Sequence, residues 1–270
     1  MKLPVIQSLW IGNRISTMEK LSINSFLAHG HKFHLYVYND IKDVPIGAEV
    51  KDANDIISAK RIFKYKHRDS YAGFANLFRY KLLLDKGGFW VDLDTICLKP
   101  FSFPNPYVFS GTKIRKRLFP FVAKNHIQNC VIGASANAEI MNYCFEVANN
   151  KDPEKLAWGE TGPDLLESAV YKFGLEDFVL YGTFSPVVWQ KWKNFISGSP
   201  LIYWKVRTKL RLYNSHAIHL YNEMWRLEGI NKNAVFPQTS IYEWLKNRYS
   251  VVSLGFCCYL NEILNIPFVF

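Results

Sequence analysis

The sequence predicts an α/β protein whose central sheet is mostly parallel and flanked by helices. Two observations predict this class: the chain opens with a strand, a helix and a second strand, and a later helix leads directly into an apolar strand. In the first run, residues 5–11 form a buried strand pattern, residues 16–29 have helical spacing, and residues 32–38 form the next strand. This succession is typical of the βαβ unit of a parallel sheet.

The second run covers residues 74–93. Apolar side chains recur at helical spacing over residues 74–85, Gly87 and Gly88 end that helix, and residues 89–93 form a short apolar strand. A short apolar strand bounded by turn residues fits a central position in the sheet.

The rest of the chain has weaker patterns. Helices are expected at residues 52–60, 140–149, 163–173 and 240–247, and short strands at residues 107–111, 130–134 and 215–221. Residues 189–209 are aromatic and polar and fit neither pattern. No linker composition divides the chain, so residues 1–270 are predicted to form a single domain.

The chain is basic, with a formal net charge of +10 and a pI of about 9.3. Such a surface favours anionic partners. A nucleic-acid partner is not expected, because no dense basic run with interleaved aromatic residues is present. The basic cluster at residues 113–117 (KIRKR) is either a solvated loop or a contact with an anionic membrane surface or an acidic acceptor.

The five cysteines fit neither a disulfide framework nor a zinc site by number and spacing, which favours a reducing compartment. The sequence lacks the pattern of a signal peptide and any run of about 18 apolar residues that could span a bilayer. We therefore expect a cytoplasmic protein that is either soluble or peripheral on the inner face of the membrane.

Asp92 and Asp94 lie at the end of the strand predicted at residues 89–93. In extended backbone, residues i and i+2 point to the same side, and open α/β sheets bind ligands at their carboxyl edge. Two adjacent carboxylates repel unless a cation lies between them, and their oxygens suit Mg²⁺ or Mn²⁺. A solvated turn is the alternative for an isolated D-x-D pair, but the helix, glycines and strand before it favour a metal site.

Asn76, Arg79 and Tyr80 share one face of the helix predicted at residues 74–85, because they are spaced at i, i+3 and i+4. That face either lies at the surface or points into a cleft, where Arg79 could bind phosphate or ribose oxygens.

Aromatic residues make up 16% of the chain, and each ring is either part of the core or a stacking platform for a base or a sugar.

The stretch FANLFRYKLLLDKGGFWVDLD resembles the S-D-x-x-R-Y…L…G-G-x-Y-x-D-x-D block of sugar-binding-region glycosyltransferases. These are glycosyltransferase family 32, the related α-1,4-galactosyltransferases and, more distantly, the large glucosylating toxins. The opening LPVIQSLWIG is similar to the first strand of these families, and SHAIHLYNEMWR is similar to their A-x-H-x-x-x-x-x-W segment. The three segments occur in the family order.

The resemblance implies a GT-A type nucleotide-sugar-binding fold, with a nucleotide-binding half at about residues 1–110 and an acceptor-side half at about residues 111–270. It also implies a nucleotide-sugar donor, a glycan acceptor, retention of anomeric configuration and a divalent metal, usually Mn²⁺, with Mg²⁺ as the alternative.

Carried over by position, the resemblance assigns roles to single residues. Asp94 would ligate the metal directly, Asp92 would contact the ribose and metal-bound water, and His219 would approach the metal or the diphosphate. These three are the predicted catalytic and metal residues. The predicted donor-binding residues are Trp10, Asn76, Arg79, Tyr80, Trp90 and Trp225, with Trp10 stacking on the base and Trp225 closing over the leaving group. The predicted acceptor-side residues are Asp164 and Glu223.

The sequence departs from the family pattern at several positions. It has Ala75 and Asn76 in place of Ser-Asp, Trp90 in place of the usual Tyr, and Gln7 in place of the opening His. Because Asn76 carries no charge, it would contact the donor sugar through hydrogen bonds only.

Structural alternatives also stay open at this stage. Trp10 could be a core ring, and His219 could be a core histidine on an apolar strand. The Gly162-Pro163-Asp164 turn could be a helix start in which Thr161 and Asp164 form a capping box.

The predicted function is transfer of a hexose from a nucleotide-sugar, most simply a UDP-sugar, to a hydroxyl of a surface glycan such as lipopolysaccharide or capsular polysaccharide. Two alternatives are a metal-dependent phosphodiester enzyme and a silent glycan- or nucleotide-binding module. The first would need further metal ligands, and the sequence shows no second carboxylate cluster of similar context.

Overall fold

The computed structural model describes residues 3–115 and 123–250. Within these residues, nine strands form two sheets. The strands are β1 Ile6–Trp10, β2 Phe33–Val37, β3 Ala48–Asp52, β4 Gly88–Val91, β5 Thr95–Cys97, β6 Tyr107–Arg115, β7 Ala123–Ala134, β8 Val179–Tyr181 and β9 Ala217–His219.

The main sheet has seven strands in the order β3-β2-β1-β4-β7-β6-β8. The β3, β2, β1 and β4 strands pair in parallel, β7 is antiparallel to both β4 and β6, and β8 is parallel to β6. The smaller sheet consists of β5 and β9 in antiparallel pairing. The predicted fold class, an α/β protein with a mostly parallel central sheet, is confirmed.

Seven α-helices accompany these strands in the described residues. They are α1 Thr17–Ala28, α2 Ala72–Lys86, α3 Glu139–Asn149, α4 Pro163–Lys172, α5 Pro200–Leu212, α6 Asn222–Leu227 and α7 Ile241–Arg248. The predicted helices at residues 16–29, 74–85, 140–149, 163–173 and 240–247 are confirmed to within about two residues. The segment that fitted neither pattern contains a 3₁₀ stretch at Trp189–Phe195 and the start of α5.

Specific residues determine where α1 begins and where α2 ends. At the start of α1, the Ser16 hydroxyl accepts from the N–H of Met18, while the Glu19 carboxylate accepts from the N–H of Ser16 at 2.7 Å. This exchange satisfies N–H groups that have no partner inside the helix. The α2 helix ends at Gly87, where φ is 62°, a backbone conformation that favours glycine.

The helix predicted at residues 52–60 is wrong. The chain there leaves β3 and continues through two 3₁₀ turns, Ala53–Asp55 and Ala59–Arg61. The Asp52 and Ser58 side chains accept from backbone N–H groups two residues later, and such local bonds favour turns over an α-helix. The β3 strand was not predicted, because it lies at the sheet edge with several exposed side chains and has no apolar alternation.

The strands predicted at residues 107–111 and 130–134 are longer in the structure and form the β6–β7 hairpin. The first residues of the KIRKR cluster therefore belong to β6 and not to a loop. Lys116 and Arg117, like Cys257 and Cys258, lie outside the described residues. Cys97, Cys130 and Cys144 are buried free thiols.

The two sheets bring distant parts of the sequence together. The strand predicted at residues 215–221 is β9, and it pairs with β5, which directly follows the Asp92–Asp94 segment. Helices α2, α3 and α4 pack together on one side of the main sheet. A separate apolar cluster joins α5, α6 and α7 to β9. No helix in the described residues is long and apolar enough to cross a membrane.

Candidate active site

The predicted site residues surround one large cavity at the carboxyl edge of the main sheet. Trp10 is the last residue of β1, and Asp92 directly follows β4, the parallel neighbour of β1. The cavity has a volume of about 1170 Å³. Ten predicted residues line it: Trp10, Asn76, Arg79, Trp90, Asp92, Asp94, Asp164, His219, Glu223 and Trp225. Open α/β sheets bind their ligands at this edge.

Asp92 and Asp94 converge because the chain turns between them. The β4 strand ends at Val91, and the N–H of Thr95 donates to the carbonyl of Asp92 at 2.9 Å. The strand pattern predicted that both carboxylates lie on one side of an extended backbone, and this prediction is wrong. A tight turn, not the alternation of a strand, brings the two side chains to the same place.

His219 reaches the carboxylates from the smaller sheet, where it is paired with Thr95. Its Nε2 atom lies 3.2 Å from Oδ1 of Asp94. The other oxygen of Asp94, Oδ2, accepts from the backbone N–H of Asn222 at 2.6 Å. Asp94 therefore joins the carboxyl end of β4 to the start of α6.

The charges of Asp94 and His219 depend on each other. Burial alone would lower the pKa of His219, but the adjacent Asp94 carboxylate and the Cys130 thiol together outweigh burial and hold that pKa well above its ordinary value. Burial likewise opposes ionisation of Asp94, yet His219 and the Asn222 N–H lower the pKa of Asp94 below its ordinary value. Each of the two groups therefore favours the charged form of the other.

This cluster has the composition of a divalent metal site. Asp92, Asp94 and His219 each offer one ligand atom, and the three atoms lie within 4.8 Å of one another. Nδ1 of His219 is buried and has no hydrogen-bond partner in the described residues, while Oδ1 of Asp94 contacts Nε2 of His219. Buried polar atoms are rarely left unsatisfied in proteins. Two carboxylates and an imidazole therefore fit a bound divalent cation.

Asp92 is positioned by two neighbours from β4 and α2. Its Oδ1 atom accepts from Nε1 of Trp90 at 2.9 Å and lies 3.1 Å from Nη2 of Arg79. Arg79 is buried, and its guanidinium covers the Trp90 ring at 4.8 Å from the centroid. The departure from Tyr to Trp90 thus supplies an indole N–H that holds the carboxylate of Asp92.

The α1 to β6 part of the chain is also where a known family matches. Residues 16–113 match the family model described as the glycosyltransferase sugar-binding region containing the DXD motif, and Asp92-Leu93-Asp94 is the D-x-D of this segment. Residues 16–113 are therefore similar to the sugar-binding region of DXD-containing glycosyltransferases. The predicted class of enzyme, a glycosyltransferase, is confirmed by this match. No curated protein matches the chain in a sequence comparison.

Three solved structures of transferases are similar to this chain at low identity and low TM-score. A structure titled PaToxG Glycosyltransferase has 16% identity and a TM-score of 0.44, with 92% of this chain and 86% of that chain covered. The WbbM bifunctional glycosyltransferase has 11% identity and a TM-score of 0.45, with 93% of this chain and 50% of that chain covered. A transferase mutant has 14% identity and a TM-score of 0.40, with 66% and 86% covered. At these sequence identities and TM-scores, the similarity does not indicate a function.

Within the sugar-binding region, Asn76 is fixed by polar neighbours. Its Oδ1 atom accepts from Nδ2 of Asn129 at 2.9 Å, and its Nδ2 atom lies 3.5 Å from the Thr161 hydroxyl. A side chain at Gly162 would meet the amide nitrogen of Asn76 at 2.8 Å, so glycine is required for this close approach. Asn76 therefore connects α2 to the start of α4 while remaining on the cavity wall.

Tyr80 differs from the other residues on this helix face. Its ring is fully buried and does not line the cavity, and its hydroxyl donates to the carbonyl of Gly162 at 3.1 Å. The prediction that Tyr80 binds the donor directly is therefore wrong in this structure. Its place at i+4 from Asn76 turns it toward the α4 side of the core. Tyr80 supports the turn that holds Asn76.

Trp225 also lies deeper than predicted. Only 1% of its surface is exposed, although it forms part of the cavity wall. Its Nε1 donates to the carbonyl of Leu220 at 2.9 Å, and its ring packs against Trp192 and Tyr242. An indole held on all sides does not close over a leaving group in this conformation. It anchors the segment that carries Asn222.

The acceptor-side carboxylates have different surroundings. Asp164 is exposed in the first turn of α4, which begins at Pro163, so the alternative of a helix start is confirmed. No side chain caps this helix, so the capping box expected from Thr161 and Asp164 is wrong. Glu223 lies 3.3 Å from Arg68 and 2.8 Å from Arg226. Two guanidinium groups therefore neutralise Glu223, which leaves it poorly suited to act as a base.

Lys232 is the most informative residue that the sequence did not indicate. Its Nζ atom contacts Glu19 at 2.5 Å and Asn222 Oδ1 at 3.0 Å, and it lies 5.5 Å from the Trp10 ring centroid. The residue lines the cavity from a loop after α6. Isolated in the segment NKNAV, it has no motif that could have revealed it.

The sequence also did not indicate that exposed aromatic rings form the mouth of the cavity. Trp158 and Trp189 line it with 42% and 43% of their surface exposed. The guanidinium of Arg68 lies 4.4 Å from the Trp158 ring centroid. Exposed indole rings of this kind can stack on sugar rings. The high aromatic content was the only signal, and it did not distinguish these rings from the core.

Proposed function

We propose that this protein is a retaining, metal-dependent glycosyltransferase that transfers a hexose from a UDP-sugar to a hydroxyl of a glycan. The observation that carries the proposal is the cluster of Asp92, Asp94 and His219 beside the Trp10 ring in one cavity of about 1170 Å³. The cavity offers a ring for a base, cations for a diphosphate and a site for a divalent cation within a single space.

The donor is held along the carboxyl edge of the sheet in this proposal. Trp10 is partly exposed at the end of β1, and its Nε1 donates to the carbonyl of Arg14 at 3.1 Å, which fixes the ring as a platform for the base. Lys232 lies between this platform and Asn222, where a diphosphate would run. Arg79 keeps Asp92 in place and adds positive charge on the opposite wall.

Asp92, Asp94 and His219 would hold the metal, and Mn²⁺ fits this set better than Mg²⁺ because Mg²⁺ prefers oxygen ligands. When bound, such a cation offsets negative charge on the leaving diphosphate. His219 must lose its proton to become a ligand, and Asp94 then keeps the imidazole ring oriented. The buried Nδ1 atom of His219, which has no hydrogen-bond partner in the described residues, supports this assignment.

The chemistry needs no nucleophile from the protein. Glu19 is paired with Lys232, and Glu223 is paired with Arg68 and Arg226. We infer that the acceptor hydroxyl attacks the anomeric carbon from the face that the diphosphate leaves. The bond to the diphosphate breaks, the new glycosidic bond forms, and the diphosphate takes the proton. The residues of the site act by electrostatic stabilisation of the leaving group.

The acceptor is placed at the mouth of the cavity in this proposal, beside Asp164, Trp158 and Trp189. Its class would be a surface glycan such as lipopolysaccharide or capsular polysaccharide, made on the cytoplasmic face of the membrane. The net charge of +10 supports a peripheral position on anionic lipid. We also propose that residues 1–270 act as one domain, with donor binding mainly in residues 1–110.

Nucleotide release from a panel of sugar donors, with and without Mn²⁺, tests this function. We expect UDP release that requires the metal and that increases when a glycan acceptor is added, with an α-linked product from an α-linked donor by NMR. An inverted product would refute the retaining mechanism. Release of a sugar phosphate would favour the phosphodiester alternative, and no release from any donor would favour the silent module.

A further inference from the structure

Helix α5 presents an apolar face to solvent, on the side away from the core. Val206 and Leu210 are buried in the cluster that joins α5 to α6 and α7. On the opposite face, Leu201, Trp204 and Leu212 are 64%, 65% and 78% exposed. These three residues are spaced by three and eight positions, so they lie along one stripe of the helix.

Cationic side chains accompany this stripe. Lys205 and Thr208 lie between the apolar residues on the exposed face, and Lys209 and Arg211 flank them. No acidic residue occurs anywhere between Asp177 and Glu223, although this stretch contains six lysine and arginine residues. The exposed face of α5 is therefore both apolar and strongly positive.

The combination of apolar and cationic side chains on α5 distinguishes a lipid surface from a protein partner. Lysine is depleted from the buried cores of protein interfaces, because its desolvation is costly there. An amphipathic helix at a lipid surface instead places tryptophan and leucine below the headgroups, while lysine extends its ammonium group to the phosphates. Lys205 in the middle of the Leu201–Trp204–Leu212 stripe fits the lipid surface.

We propose that the exposed face of α5 docks this protein on an anionic lipid bilayer. The net charge of +10 adds long-range attraction to such a surface. A groove beside the helix, of about 350 Å³, is lined by Trp204, Lys205 and Lys191 and widens the contact toward the preceding 3₁₀ stretch. The docking surface is therefore defined by Leu201, Trp204, Lys205 and Leu212, with Lys191 at its edge.

The position of this surface relates it to the transfer site. Lys191 lines the groove, while Trp189, two residues earlier, lines the active-site cavity and is half exposed. A bilayer on α5 would thus lie next to the mouth of the cavity, where an acceptor attached to a lipid could enter. This consequence rests on the proposed function, whereas the docking itself does not.

Flotation with vesicles tests the docking. The full chain is mixed with vesicles of phosphatidylcholine alone or with 30 mol% phosphatidylglycerol, and bound protein is measured at low and high salt. We expect binding to the anionic vesicles only, weakened by salt. The double variant Leu201→Ser, Trp204→Ser should lower the partition coefficient by at least about tenfold, and Lys205→Glu by roughly fivefold or more.

Matched controls distinguish vesicle binding through this surface from nonspecific vesicle binding. Ile46→Ser with Val235→Ser changes two apolar residues on other parts of the chain that are more exposed than Leu201 and Trp204, and it should leave vesicle binding unchanged. Lys60→Glu is the charge control, from an exposed 3₁₀ turn. UDP release without vesicles should be the same for the parent and all variants, which shows that the fold and donor site are intact.

Several results would overturn the proposal. Equal loss of binding in Lys205→Glu and Lys60→Glu, with no loss in either serine variant, would show that net charge alone attracts the protein to vesicles. Binding that is absent from anionic vesicles, together with self-association that Trp204→Ser abolishes, would assign the face to a second copy of this chain. If UDP release fails for every donor but the α5 variants still lose vesicle binding, the docking stands and the proposed function falls.

Discussion

Replacing Lys232 by methionine separates the donor site from the structural role of its neighbour. The lysine ammonium contacts both the buried Glu19 and Asn222, and it lies near the Trp10 ring. Methionine keeps most of the side-chain volume and removes the charge. Two effects follow from one substitution, because the donor loses a cation and Glu19 loses its ion-pair partner.

The substitution should lower both the donor affinity and the free energy of unfolding by measurable amounts. A charge-assisted hydrogen bond to the donor diphosphate contributes about 1.5–3 kcal/mol, so donor binding should weaken by roughly 10- to 100-fold. Glu19 retains the backbone N–H of Ser16 as a partner. Leaving its other oxygen without a partner should cost about 1–3 kcal/mol of unfolding free energy, or several degrees in melting temperature.

The assay combines donor affinity with thermal melting. UDP binding is measured by calorimetry at fixed Mn²⁺ for Lys232→Met, for Glu19→Gln and for the double variant. Glutamine keeps an oxygen to accept from Ser16 and needs no counterion. We therefore expect the double variant to recover most of the melting temperature while donor affinity stays low. Lys232→Arg should retain both.

The decisive comparison is between the single and double variants. If Glu19→Gln restores UDP affinity to Lys232→Met along with its stability, Lys232 acts only as the counterion of Glu19. Unchanged UDP affinity in the single variant would lead to the same conclusion. Either result would remove Lys232 from the donor site and leave the cavity without its second cation.

Three further predictions concern the metal, the base and the fold. Asp94→Asn keeps an acceptor for the Asn222 N–H but removes the carboxylate charge. Mn²⁺-dependent turnover should therefore fall by about 10²–10³-fold. Turnover within a few-fold of the parent at saturating Mn²⁺ would contradict the metal site. Trp10→Ala should raise the donor KM by about tenfold or more, by analogy with base stacking in nucleic-acid complexes, and a change confined to melting temperature would return Trp10 to a structural role. His31 is buried and accepts the Phe101 N–H at Nε2, and burial lowers its pKa below the ordinary 6.5. The unfolded chain therefore binds the proton more readily, so unfolding free energy should fall as the pH drops below about 6.5, and His31→Asn should flatten that slope; an unchanged slope would refute this account.

The sequence was sufficient wherever the signal is local. The β1-α1-β2 opening could be predicted because apolar spacing changes from strand to helix and back within residues 5–38. The Asp92–Asp94 segment could be placed at the sheet edge because an amphipathic helix, two glycines and an apolar strand precede it. The edge strand β3 and the two 3₁₀ turns after it could not, since exposed strands show no alternation and local side-chain bonds compete with helices.

The sequence by itself therefore predicted the α/β class, the carboxylate pair and three segments, containing Trp10, Arg79 and His219, that resemble known glycosyltransferases. These depend on residue type and spacing within short stretches. The roles of Lys232, Tyr80, Trp225 and the α5 face depend on which side chains meet across long separations in the chain. Lys232 approaches Glu19 across 213 positions, and no periodicity encodes that contact. Folding turns Tyr80 and Trp225 into the interior and leaves Trp204 outside, because burial is decided by how helices and sheets pack together and not by the residue alone.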